Sequence, residues 1–328
     1  MPASAPTLSA SLRRAATWVV ALAAVLTAVA GCGGQVAPPP SVAAAPPAMR
    51  FPHPKRVAVI VLENRSYEQV IGSQSAPYLS GLARRYALAT RFYAITHPSL
   101  PNYIALTGGS VHGIKQDCSS CAAPGPNVVG QLDRAGISWK AYFEGLDSNS
   151  QPGATTQKYN PHYNPFVYYE SVRGTPRDRD RVMDFDGLYG DLKAARLPRF
   201  TWIAPGVLHD GHNSTLLAAD RYASQLVPKV LRALAPDGVL YLTWDEGAPD
   251  DWRGVSGQPG GGRIALIAAG GGARRHTRTA IPANHYALLR TIEANFGLDT
   301  LGQAGAQSTP LLGPLLSSKR AWRSSPRR

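Results

Sequence analysis

Six apolar residues in a row, Val57-Ala58-Val59-Ile60-Val61-Leu62, run without a break into Glu63-Asn64. A run with no polar alternation reads as a strand buried on both faces, as in a parallel sheet covered by helices. Open α/β sheets bind ligands at the carboxyl ends of their strands, so Glu63 and Asn64 stand where chemistry is expected. Both offer oxygen, which suits a hard divalent cation. A second run, Gly238 to Trp244, ends in Asp245-Glu246-Gly247. One acid after a strand is commonly a helix cap. Two such pairs in one chain shift the balance toward a metal site shared by Glu63, Asn64, Asp245 and Glu246.

The same periodicity predicts further strands over 87–94, 137–143, 199–204 and 264–269. Helices are predicted over 67–70, 76–86, 101–106, 128–135, 188–195, 218–234 and 285–296, the last ended by Gly297 as C-cap. Strands alternate with helices, which predicts an α/β fold: a three-layer α/β/α sandwich around a mainly parallel sheet. The polar and aromatic stretch from Tyr159 to Arg181 reads as a lid or insertion. One catalytic domain over 51–316 accounts for this pattern, followed by a basic tail, 317–328.

Arg13-Arg14 precede an apolar stretch, Ala15 to Ala30, that ends in Val29-Ala30-Gly31-Cys32. At about 16 residues it is short for a membrane span of roughly 20. Basic start, apolar run and small residues before cysteine make a bacterial lipoprotein signal over 1–31, with Cys32 as the lipidated residue. An ordinary secretory signal or a single anchor are the alternatives, and each means export. Residues 32–50, rich in proline and alanine, read as a tether. Export to the outer face of the cell membrane, or secretion, is therefore expected. In that setting Cys118 and Cys121 most simply form a disulfide. A redox pair lacks its βαβ context, and zinc lacks further ligands.

The chain carries a net charge of +13, yet its basic residues form no single stripe. Nucleic-acid binding is not expected; attraction to anionic lipid or a phosphate-bearing substrate is. A monomer is expected.

In His97-Pro98-Ser99-Leu100-Pro101-Asn102-Tyr103, two prolines fix the backbone on either side of Ser99, and a helix follows. A hydroxyl at a helix N-terminus lies beside backbone N–H groups that favour an anion, as phosphate-ester cleavage requires. A metal lowers the pKa of such a hydroxyl. His209-Asp210-Gly211-His212 follows a strand, and His285 opens a helix. These histidines are candidates for binding metal, protonating a leaving group or contacting phosphate. His97 and His112 are weaker candidates, and His53 and His162 read as surface residues.

Together these motifs resemble the bacterial and fungal phosphoesterase family of acid phosphatases and non-haemolytic phospholipases C, within the alkaline-phosphatase-like superfamily. The matching segments are Glu63-Asn64-Arg65-Ser66-Tyr67, Pro98 to Tyr103, His209 to His212, Thr243 to Gly247 and His285 to Glu293, in order across the folded region. The resemblance implies Ser99 as nucleophile and one divalent metal held by Glu63, Asn64, Ser99, Asp245 and Glu246. It implies His209, His212 and His285 in the phosphate pocket, one of them the general acid, with Asp210 assisting. Asn102 and His112 are expected to contact substrate. The segment Pro161 to Phe166 departs from a family His-Asn-Pro-Phe pattern, because Tyr163 stands before Asn164. The chain's length favours the acid phosphatase branch, a phosphomonoesterase whose substrate includes lipid headgroups such as phosphoinositides. The alternative is a phospholipase C-type diesterase.

Overall fold

The computed structural model describes residues 51–147, 155–173 and 180–317. The expected signal peptide, Cys32, the tether and nearly all of the basic tail lie outside them. Nine strands form one sheet: β1 (Val57–Leu62), β2 (Ala87–Tyr93), β3 (Trp139–Phe143), β4 (Val182–Met183), β5 (Phe200–Ala204), β6 (Val239–Trp244), β7 (Arg263–Ala269), β8 (Thr277–Thr279) and β9 (Ala283–Asn284). Their order is β4-β3-β5-β1-β6-β7-β2-β8, with β9 also beside β2. Only β7 runs against its neighbours β6 and β2; every other pairing is parallel.

The helices are α1 (Tyr67–Val70), α2 (Pro77–Arg85), α3 (Ser99–Gly108), α4 (Val128–Arg134), α5 (Glu170–Arg173), α6 (Phe185–Lys193), α7 (Leu216–Leu234) and α8 (His285–Phe296). Two groups form, α2 and α6 on α7, and α4 and α8 on α3. Every residue of β1, β5 and β6 is buried, which needs a helix layer on each face. The α/β sandwich with a mainly parallel sheet is therefore what these sequences build.

β1 lies between β5 and β6, in register with β6 from Val57 opposite Val239 to Leu62 opposite Trp244. Glu63 and Asp245 consequently leave the sheet side by side. The main chain continues the pairing there: Asp245 N–H donates to the Leu62 carbonyl at 2.9 Å, and Glu63 N–H to that of Asp210 at 2.9 Å. Because β7 is reversed, its first residue, Arg263, also lies on this edge.

The stretch from Tyr159 differs from expectation. Tyr159, Tyr163, Phe166, Tyr168 and Tyr169 are all buried, and Phe166 packs edge-on against Trp202 of β5 at 5.6 Å. These aromatics are part of the core, because their buried apolar area outweighs the irregular backbone that carries them. They form no lid.

Helix α2 starts at Pro77 without a side-chain cap of its own. Buried Asp220 of α7 supplies it, accepting from Leu79 N–H at 2.8 Å and Tyr78 N–H at 3.1 Å. Substituting Asp220→Ala removes a charged acceptor from two amides at a helix N-terminus. Urea unfolding should show a loss of about 1.5–3 kcal/mol; an unchanged midpoint would mean the cap contributes nothing.

Candidate active site

Ser99 is the first residue of α3, with Pro98 as N-cap. Its Oγ is buried and lies 3.3 Å from Glu63 Oε2, 3.5 Å from Asn64 Oδ1 and 3.5 Å from Glu246 Oε1. The loop before it is shaped by Asn102, which is fully buried. Asn102 Oδ1 accepts from Ile95 and Thr96 N–H, and its Nδ2 donates to the Thr96 and Pro98 carbonyls at 2.8 and 3.0 Å. Asn102 thus clamps the turn that delivers Ser99, and all these bonds are internal.

The two strand-end pairs interlock. Asn64 N–H donates to Asp245 Oδ1 at 3.0 Å, and Asn64 Nδ2 donates to Glu246 Oε1 at 2.5 Å. Asn64 holds φ at 43°, a left-handed conformation that asparagine tolerates better than most residues. Glu63, Asp245 and Glu246 are all buried, and among the described residues no lysine or arginine forms an ion pair with them. Burial, then the neighbouring Asp245 charge, pushes the Glu63 carboxyl well above its usual range. Burial and Glu246 do the same to Asp245. Tyr103 donates its hydroxyl to Glu63 Oε1, and burial with the Glu63 charge keeps that phenol protonated.

His97, a weak candidate by sequence, is the only base in an ion pair with these acids among the described residues. Its Nδ1 lies 2.8 Å from Glu246 Oε2 and its Nε2 donates to the Asp251 carbonyl at 3.0 Å. Burial opposes charge on this ring, but the bonds to Glu246 and Asp251 prevail and raise its pKa. The exposed Trp252 ring packs edge-on against it at 4.7 Å. Asp251 in turn accepts from Ser66 Oγ at 2.7 Å and from Arg253, which overcome its burial and bring its carboxyl down to about 2.

The other expected site residues fall into two groups. His285 is fully buried beside the acids, donating Nε2–H to the Asp245 carbonyl at 2.6 Å. Burial lowers it to about 4, so it is neutral, and its Nδ1 has no partner. Asp210 adjoins β1 through its carbonyl, yet its carboxylate is consumed by its own loop. It accepts from His212, Asn213 and Ser214 N–H and from the Tyr163 hydroxyl at 2.9 Å. His212 is exposed. His209 stacks on Tyr222 at 3.8 Å, its Nδ1 2.8 Å from Glu144 Oε1. His112 lies beyond the far end of α3, about 15 Å along the helix from Ser99, edge-on to Tyr169; no bond ties it to the Ser99 cluster. Cys118 and Cys121 are joined as a disulfide.

Sequence reasoning missed Glu144, Asp251 and Tyr103. Glu144 had the same signature as the other acids, since it directly follows Phe143 at the end of β3.

Among the described residues no cluster of three or more His, Cys, Asp or Glu is arranged as a ready metal cage. The donor set nevertheless fits a hard cation. Three buried carboxyls lack a full counter-charge, and Asp245 Oδ2 is buried with no hydrogen-bond partner.

This fold and edge define an α/β protein of the alkaline phosphatase architecture, with a serine set among strand-end acids. The chain belongs to the phosphoesterase family, whose model matches residues 73–299. It is 28% identical to a probable acid phosphatase of Kluyveromyces lactis, over 76% of this chain and 60% of that protein. It is also 28% identical to a phosphatidylinositol-3-phosphatase of Mycobacterium tuberculosis, over 76% of this chain and 79% of that one. The chain thus spans about three fifths of the fungal relative's length. A Vibrio parahaemolyticus protein of the alkaline phosphatase superfamily shares the fold with TM-score 0.56 at 13% identity, covering 79% and 72% of the two chains.

Glu63 and Asp245 have folded pKa values above their unfolded ones, so their protonated forms favour the fold at low pH. That support is lost as pH rises from about 4 through the raised values. A cation binding the ionised acids reverses the loss. At one fixed concentration of divalent metal, 100 times its Kd at pH 7, the chelator-treated protein should gain about 2.7 kcal/mol at pH 7 and less at pH 4. Equal melting shifts at both pH values would contradict this.

Proposed function

We propose that this protein is an exported, metal-dependent phosphomonoesterase that uses Ser99 as its nucleophile. One observation carries the reading: Ser99 Oγ, at the head of α3, faces oxygen atoms of Glu63, Asn64 and Glu246 within 3.5 Å. The names of its relatives, acid phosphatases and a phosphatidylinositol-3-phosphatase, support the substrate class and extend it to phosphorylated lipid headgroups. The basic N-region, apolar run and Cys32 support export and a lipid tether. Among the described residues no helix is long and apolar enough to cross a membrane.

Ser99 Oγ attacks phosphorus as its proton is released to solvent, and Glu63, Asn64 and Glu246 hold the oxygen in place. The P–O bond to the leaving group breaks, giving a phosphoserine and an alcohol. Water then cleaves the phosphoserine to free phosphate and restores the hydroxyl. Glu63, Asn64, Ser99, Asp245 and Glu246 would hold a divalent cation, which supplies Lewis-acid stabilisation of charge on oxygen. We assign the general acid to His209, whose Nδ1 is anchored by Glu144 and which immediately precedes Asp210, the residue whose carbonyl pairs with Glu63 N–H. His285 is neutral and already donates to a carbonyl, so it orients Asp245 instead.

Turnover of an aryl phosphate should fall at least a thousandfold in Ser99→Ala and be abolished by chelator; retained activity removes Ser99 as nucleophile. Free phosphate from monoesters in preference to cleavage of matched diesters supports the monoesterase, and the opposite preference supports a phospholipase C type of activity. His209→Gln should slow an alkyl phosphate by about 10²–10⁴-fold and an aryl phosphate far less, because a good leaving group needs no proton. Equal losses on both would reassign the acid.

A further inference from the structure

The amide that follows the nucleophile is occupied. Leu100 N–H donates at 2.9 Å to Asp117 Oδ1, from the loop between α3 and α4. Pro101 has no N–H, so Leu100 is the main donor that the first turn of α3 presents beyond Ser99. An anionic ester held at Ser99 would naturally accept from this amide. A carboxylate stands there instead, exposed to solvent and next in sequence to the Cys118–Cys121 disulfide. His162 Nδ1, on the turn Pro161–Tyr163, lies 3.6 Å from its Oδ2. Tyr168, on the turn Pro165–Tyr168, is close enough to feel its charge, and Lys115 is the nearby cation of its own loop.

Resting on the reading of Ser99 as nucleophile, we propose that Asp117 is a charge-selecting residue: its carboxylate at the head of α3 repels doubly charged phosphate monoesters and favours singly charged ones. A monoester's second ionisation falls near pH 6, so it carries one charge below that pH and two above. A diester carries one charge throughout. The selection therefore works against monoesters at neutral pH and leaves diesters indifferent to pH. Asp117 contacts no reacting atom; it acts through the amide and the local field.

The test compares kcat/KM of the full-length enzyme and its Asp117→Asn variant, which keeps an oxygen for the Leu100 amide but carries no charge. The readout is the variant to wild-type ratio against pH, for an aryl phosphate monoester and an aryl phosphate diester. For the monoester the ratio should rise about tenfold from pH 5 to pH 8, the scale of one charge repulsion across a partly hydrated site. For the diester it should stay flat. A flat monoester ratio, or equal loss on both substrates at every pH, would overturn the selection and leave Asp117 a helix cap. His162 is tested by repeating the comparison in a His162→Gln background, where the rise should persist; its disappearance would assign the effect to His162 and also overturn the proposal. Ser99→Ala, assayed in parallel, tests the parent reading separately. If it remained active, the nucleophile would be wrong, whatever Asp117→Asn did.

Discussion

Three carboxyl groups buried together, with one histidine as their counter-charge, set the terms for the rest of this structure. Glu63, Asp245 and Glu246 each sit at or below 3% exposure, where ionised oxygens without partners are strongly disfavoured. The arrangement persists because β1 and β6 are locked in parallel register up to Leu62 and Trp244. The next residues have no other place to go. Main-chain and side-chain donors then soften the cost: Asn64 serves both Asp245 and Glu246, and Tyr103 serves Glu63.

A second set of contacts holds the serine against this cluster. Asn102 spends its whole amide on the 95–98 backbone, and His97 ties Glu246 to the Asp251 loop. That loop is fastened by the Glu68–Arg253–Asp251 ion pairs and by the Arg263 guanidinium, which reaches Glu68 at 2.8 Å. Rigidity around a polar centre is what electrostatic stabilisation of a transition state requires. Polar groups that look catalytic by type therefore divide their duties. Asp210 organises a turn, Asn102 shapes another, and Ser99 is left with only long contacts to acceptors.

Six of the nine strands were legible because unbroken apolar runs have one common explanation, and strand-end acids then follow from sheet geometry; β4, β8 and β9, of two or three residues each, are too short to show a pattern. The edges of helices moved by only a few residues; α3, for example, starts at Ser99 rather than Pro101. Pairings between distant segments were not legible. Nothing in the order of residues says that Glu144 meets His209, 65 positions away, or that Asp117 reaches Leu100. The reversed direction of β7 was likewise hidden, since a buried run looks the same in either direction. The aromatic stretch after Tyr159 misled because its polar spacing suggests a surface segment, while its rings supply core area.

The function we propose requires Ser99, set in the acid-lined edge, to accept the phosphoryl group. Rapid acid quenching of the enzyme during turnover of a phosphate ester, followed by mass spectrometry of its peptides, tests this directly. One phosphoryl group is expected on the peptide that contains Ser99, absent when substrate is omitted. A phosphoryl group on another residue, or none during steady turnover, would contradict it.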